Sequence, residues 1–97
     1  MLTSKQKRFL KSKAHHLKPI FQVGKGGVNE NLITQVVDAL EARELIKVNI
    51  LQNCEEDKHE VAKEISTGAD AELVQLIGNT MVFYKESKNN KKLELPS

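Results

Sequence analysis

Ile20-Phe21-Gln22-Val23-Gly24-Lys25-Gly26-Gly27-Val28-Asn29 is the stretch on which the reading of the chain turns. Ile20 to Val23 is short, apolar and β-favouring, so it predicts a strand that ends at Gly24. Asn29 is a helix-capping residue, and Val28 and Ile33 are spaced as a hydrophobic staple around it. Between strand and helix lie three glycines and one lysine. Glycine lets backbone N–H groups approach an anion with no side chain in the way. The helix that follows turns its unpaired N–H groups and the positive end of its dipole toward the same place. Strand, glycine turn and helix together predict a corner suited to phosphate.

Downstream, Leu32, Ile33, Val36, Val37 and Leu40 recur at helical spacing, and Leu45 to Leu51 alternates as a second strand. A strand–helix–strand unit of this length predicts a parallel pair joined by the helix. The acidic run Glu55-Glu56-Asp57 suits the start of a third helix, with Val61, Ala62 and Ile65 facing inward and Gly68 as its stop. Residues 72–77 and 80–84 read as two strands, and Gly78-Asn79 as the hairpin turn between them. Upstream, Thr3 and Gln6 have the spacing of a capping box, and Phe9, Leu10, Ala14 and Leu17 form one apolar stripe of a first helix ending before Pro19. The expected order is a helix followed by βαβαββ: α/β in content, of the α+β two-layer type, with a mixed four-stranded sheet covered by helices. No internal repeat or linker divides it, so residues 1–86 form one domain, and the polar, Lys/Asn-rich 87–97 reads as a loose tail.

Ninety-seven residues with 39% hydrophobic content suit one globular domain rather than a disordered chain. No apolar run approaches the roughly 18–20 residues of a membrane span, and a single cysteine, Cys54, excludes an intrachain disulfide. The simplest reading is a cytoplasmic protein with no membrane partner. The net charge of +2 conceals a strong polarity. Residues 1–29 carry Lys5, Lys7, Arg8, Lys11, Lys13, Lys18 and Lys25 and no acid. Residues 30–84 carry four basic residues against eleven acidic ones. Such a chain presents one face to a polyanion and resists sticking elsewhere.

The glycine segment fails as a nucleotide loop. A Walker loop needs Lys-Ser/Thr after its last glycine, and Gly27 is followed by Val28. A dinucleotide fingerprint needs a third glycine where Asn29 stands. Gly-x-x-Gly remains, a pattern that clamps the sugar–phosphate backbone in some RNA-binding modules but that also serves any tight strand-to-helix turn. His15, His16, His59 and Cys54 do not have zinc-site spacing, and no nucleophile accompanies the carboxylates at 55–60, so no metal, cofactor or catalytic set is expected. Phe9, Phe21, Phe83 and Tyr84 are too few for an aromatic stacking platform, which favours backbone recognition through charge and loop.

Ala14-His15-His16-Leu17-Lys18-Pro19, Val23 to Gly27, Glu44-Leu45-Ile46-Lys47-Val48 and Ile77-Gly78-Asn79-Thr80-Met81-Val82-Phe83-Tyr84 together resemble the CRM domain (chloroplast RNA splicing and ribosome maturation). The chain is similar to the stand-alone bacterial YhbY family over about residues 2–85. That resemblance implies a fold like the C-terminal domain of translation initiation factor three, in a single CRM-type RNA-binding domain over 1–86. It also implies a non-enzymatic RNA-binding role on precursors of the large ribosomal subunit. The RNA surface it implies is Gly24, Lys25, Gly26 and Gly27 with Lys5, Arg8, Lys11 and Lys18, joined by Lys7, Lys13 and Lys47; a monomer is expected. Val28-Asn29 stands where Leu-Thr is more usual, and either pair can staple and cap. The alternative is a ribosome-associated protein–protein module docking through its acidic helices.

Overall fold

A computed structural model of the chain describes residues 2–97. Its elements are α1 (Ser4–Ala14), β1 (Pro19–Val23), α2 (Glu30–Arg43), β2 (Leu45–Ile50), α3 (Lys58–Ala69), β3 (Glu72–Ile77) and β4 (Thr80–Tyr84). Each helix begins on a side-chain cap. Thr3 Oγ1 accepts the Gln6 N–H at 3.1 Å while Gln6 Oε1 accepts the Thr3 N–H at 3.0 Å, the reciprocal pair of a capping box. Asn29 Oδ1 accepts the Leu32 N–H at 2.8 Å and opens α2. Asp57 accepts the N–H groups of His59 and Glu60, so the acidic run supplies the cap of α3 rather than its first turn.

The strands form one mixed sheet in the order β1-β2-β4-β3, with β1 and β2 parallel and the other neighbours antiparallel. The expected helix-then-βαβαββ fold with a mixed four-stranded sheet is what the chain adopts. Alternation along β2 serves both faces. Ile46, Val48 and Ile50 join Val36 and Leu40 of α2 and Val61 and Ile65 of α3 in the larger core. Leu45 turns to the other face and joins Leu10 and Ala14 of α1, with Val74, Val82 and Tyr84. The two main layers are thus the sheet and the α2–α3 pair, and α1 covers part of the remaining face. Each large aliphatic side chain so buried contributes about 1.5–3 kcal/mol before entropy is counted.

Gly68 does not stop α3. The helix runs on to Ala69 and ends at Asp70, whose left-handed backbone (φ 52°) lets its N–H and that of Ala71 close on Thr67 and Ser66 carbonyls. Gly68 is instead a point where α3 packs tightly on α2: a Cβ there would lie 2.9 Å from Ile33 Cδ1. The glycine that punctuates by sequence is a packing residue in space.

Residues 87–97 have no regular structure, yet they are not loose. Their anchor is Glu44, fully buried at the end of α2 with a positive φ of 66°. A non-glycine residue holds that geometry only when its surroundings fix it. Here the Glu44 N–H donates to Leu40 O at 2.8 Å, its carbonyl accepts from Lys85, and its carboxylate accepts the N–H groups of Ser87, Lys92 and Leu93. Glu41 adds the N–H groups of Lys88 and Asn89 and the Ser87 hydroxyl. Leu93 and Leu95 then pack on the α1 core, and Gln6 Nε2 donates to the Pro96 carbonyl at 3.0 Å. Charge and polarity in the tail hid these contacts from a reading by composition.

Burial pushes the Glu44 carboxyl up, but the Ser87, Leu93 and Lys92 N–H groups and the nearby Lys91 charge outweigh it and hold the group below the usual carboxylate range. A carboxyl held low in the folded state stabilises it above the ordinary carboxylate pKa, and that stabilisation is lost as pH falls through the lowered value. Glu44→Gln is therefore expected to cost about 2–3 kcal/mol near neutrality, since an amide N–H₂ would face buried donors. Urea unfolding measures the loss, and unfolding from neutral to acid pH should show a shallower acid limb in the variant.

Candidate nucleic-acid interface

The basic residues of α1 occupy different sides of the helix, because 3.6 residues complete a turn. Leu10 and Ala14 face the sheet and are buried. Lys5 and Arg8 lie on the opposite, exposed side. Lys7 and Lys11, four apart, share one flank. Lys13 lies about 200° round from Lys11, and its Nζ sits 5.5 Å from the centre of the Phe9 ring. It is thus drawn to the flank that carries Phe9.

The Lys11 flank overlooks a groove of about 550 Å³ between the end of α1 and the uncovered part of the sheet. Lys11, Ser12, His15 and His16 form one wall, and Lys47, Gln75, Ile77, Thr80 and Val82 form the floor. Lys47 belongs to the face of β2 that carries Leu45, so strand alternation delivers it to the helix that carries most of the basic charge. Asn49, two residues on, accepts a hydrogen bond from the Thr80 hydroxyl at 2.9 Å, and Ile77 is 62% exposed beside it. Lys18 is exposed in the short segment between α1 and β1. Among the described residues, no carboxylate pairs with Lys5, Lys7, Arg8, Lys11, Lys18, Lys25 or Lys47. Their charge is uncompensated at short range.

The glycine turn stands beyond one end of this groove, the end at which Ile77 and Thr80 flank the β3–β4 hairpin. Val23 pairs with Ile50, and the Leu51 N–H donates to Val23 O at 2.9 Å, so Gly24 leaves the sheet beside Leu51 and Asn53. From Lys47 to Ile50 the strand rises about 10 Å. The hairpin at Gly78-Asn79 lies at this end too, where Asn79 O accepts the Ile50 N–H at 2.7 Å.

The glycines of the turn differ in what they do. The Gly27 N–H donates to Gly24 O at 3.0 Å and closes the turn, with Gly27 at a φ of 65°. A Cβ on Gly27 would overlap the Glu56 carboxylate, whose Oε1 accepts the Val28 N–H at 3.1 Å. Gly26, by contrast, has ordinary backbone angles and open space where a Cβ would be. Among the described residues its N–H has no partner. Lys25 is exposed at the tip. The structure thus brings Lys11 and Lys47 together and sets Lys25 and Gly26 beyond the end of β1. It separates Lys13 from both and engages the Gly27 amide internally.

Sequence reasoning missed Gln75, Thr80 and Ile77 in the groove, and Asn49 bonded to Thr80, because a strand's two faces are assigned only when its neighbours are known. It also read Glu56 as helix-start charge and not as a partner of the glycine turn. The Glu64 carboxyl, in hydrogen-bond reach, and the Val28 N–H hold Glu56 below the usual carboxylate range against some burial. Glu64 is pushed up by that same bond, by burial and by repulsion from Glu56 and Glu60. On the helix-covered side of the sheet, next to the glycine turn, Glu30, Glu60 and Glu64 rim a cleft of about 800 Å³ between α2 and α3, floored by Val28 and Ile33. Among the described residues no cluster of three His, Cys, Asp or Glu could hold a metal, and no helix is long and apolar enough to cross a membrane.

Comparison with known proteins adds to this geometry. A family model for the CRS1 / YhbY (CRM) domain matches residues 2–85. A Bacillus subtilis (strain 168) protein named "Probable RNA-binding protein YqeI" is 71% identical over 96 residues, covering 99% of this chain and 100% of its own length. A Haemophilus influenzae protein named "RNA-binding protein" is 38% identical over 95 residues, covering 98% and 95% respectively. The solution structure of a hypothetical protein from Staphylococcus aureus matches with a TM-score of 0.82 at 59% identity, over 99% of this chain and 100% of that one.

The two inner-turn glycines give a direct test of this geometry. Gly27→Ala is expected to cost about 1–2 kcal/mol from the left-handed backbone alone, with the Glu56 overlap in addition. Gly26→Ala should leave thermal unfolding within experimental error, since nothing occupies its Cβ position.

Proposed function

Because this chain belongs to the CRS1 / YhbY (CRM) domain family, we propose that it is an RNA-binding protein that associates with precursors of the large ribosomal subunit and acts in ribosome assembly. The observation that carries the RNA reading is the meeting of Lys47 from the sheet with Lys11 of the acid-free helix in one groove. Backbone phosphates lie against Lys11, Lys47 and Lys18, Lys5 and Arg8 extend the field outward, and a phosphate at the turn takes the Gly26 N–H and the Lys25 charge. Phosphate contacts of this kind position RNA without reading its sequence. The ribosomal assignment draws on the family resemblance. The protein acts as a cytoplasmic monomer without cofactor or catalytic step, residues 1–86 being the binding domain and 87–97 its strap.

A second reading, a ribosome-associated protein–protein module, is favoured by the acid-rimmed cleft between α2 and α3. Nuclease treatment separates the two: association with ribosomal particles that survives RNA digestion supports the protein partner. Crosslinking in cells with sequencing of the attached RNA tests the assembly role, with enrichment of large-subunit ribosomal RNA expected and an even spread over messages against it.

Four or five phosphate contacts on flexible RNA predict that log K falls with log salt at a slope of about −3 to −3.5. Lys47→Glu and Lys11→Glu should each weaken binding and reduce the steepness of that slope by about 0.7 or more. Gly26→Asp should lower affinity about tenfold or more, the equivalent of one charge-assisted hydrogen bond, while leaving the unfolding temperature unchanged. A salt-independent affinity would rule out the electrostatic mechanism.

A further inference from the structure

The glycine turn is already occupied by an anion of the protein's own. Glu56 reaches from the segment before α3 to the start of α2, where its Oε1 accepts the Val28 N–H at 3.1 Å. Its carboxylate fills the volume that any side chain at position 27 would need. Two features of the turn follow from this placement. The φ of 65° favours glycine at position 27, and a side chain there would push the Glu56 carboxylate away from the turn. The Val28 amide is satisfied from within and the Gly27 amide closes the turn, which leaves the Gly26 N–H, like that of Lys25, among the turn's open donors.

We propose that Glu56 is a resident anion of the glycine corner, a positioning residue that locks the turn through the Val28 N–H while its charge weakens the corner's hold on a phosphate. The inference rests on the RNA reading above and deepens it by naming the residue that sets how tightly this end of the surface grips the backbone. Charge decides the sign. A carboxylate and an incoming phosphate at neighbouring amides repel, and the repulsion is several times stronger at a protein surface than in bulk water. The neighbouring groups on α3 are acidic too: Glu60 and Glu64 lie close by, and Glu56 is held below the usual carboxylate range while Glu64 is pushed above it. Lys63 lines the same α2–α3 cleft as Glu60 and Glu64. A surface built for tight, permanent capture would have no carboxylate here. One built to bind and release does.

Glu56→Gln tests this, because its amide oxygen can still accept the Val28 N–H while the charge is gone. The expected result is an affinity for single-stranded RNA about threefold to tenfold higher than that of the parent chain, at an unfolding temperature within a few degrees. Equal or weaker RNA binding by the variant, beside a parent that binds, would overturn the inference and leave the RNA reading standing. No RNA binding by the parent would sink the RNA reading itself. Inorganic phosphate then provides the independent readout: the rise in unfolding temperature with added phosphate, each protein measured against its own phosphate-free value, should be larger for Glu56→Gln. Because that rise is relative, it remains decisive even where the variant is less stable, and an equal or smaller rise overturns the proposal.

Discussion

Two parallel strands cannot be joined by a tight turn, and the pairing of β1 with β2 therefore governs the rest of the molecule. The chain must leave Val23 at one end of the sheet, cross over one face, and re-enter at Leu45 from the other end. That requirement makes α2 a crossover helix and places the glycine turn at the start of it. It also sets Gly24 beside the exit of β2 at Leu51, so turn and strand ends gather on one edge. Once α2 and α3 cover one face of the sheet, α1 and the tail are left to share the other. The part they leave bare is where Lys47, Asn49 and Thr80 emerge.

Two buried or half-buried acids then adjust what this scaffold does. Glu44 ends α2 in a backbone geometry better suited to glycine, and its carboxylate collects three N–H groups of the chain beyond β4. Breaking any one of them would leave a donor or an acceptor unpaired in the interior, which costs more than the bond itself contributes. Glu56 performs a similar task at the opposite end of α2, holding the Val28 N–H and shaping the turn. Both acids stabilise the chain by satisfying backbone donors.

Much of the architecture was legible because it rests on short-range rules. Caps at Thr3 and Asn29, the alternation from Leu45 to Ile50, and the hairpin at Gly78-Asn79 are decided by neighbours a few residues away. Gly68 and the tail were misread for a common reason. A glycine near the end of an apolar run signals a stop, and a Lys/Asn-rich stretch signals disorder, only when no distant partner intervenes. Ile33 and Glu44 are such partners, 35 and 43 residues away in the chain.

The sequence by itself determined the order of elements, the charge polarity between residues 1–29 and the rest, and the presence of a glycine corner at a helix start. These follow from local propensity and from composition, which a linear reading contains. Only the tertiary structure decided that Lys47 meets Lys11, that Lys13 turns away toward Phe9, and that the three glycines of the corner have unequal tasks. Each of those outcomes depends on which face of a strand or helix is covered and by what. That is a property of packed surfaces, and a residue's neighbours in the chain do not specify it.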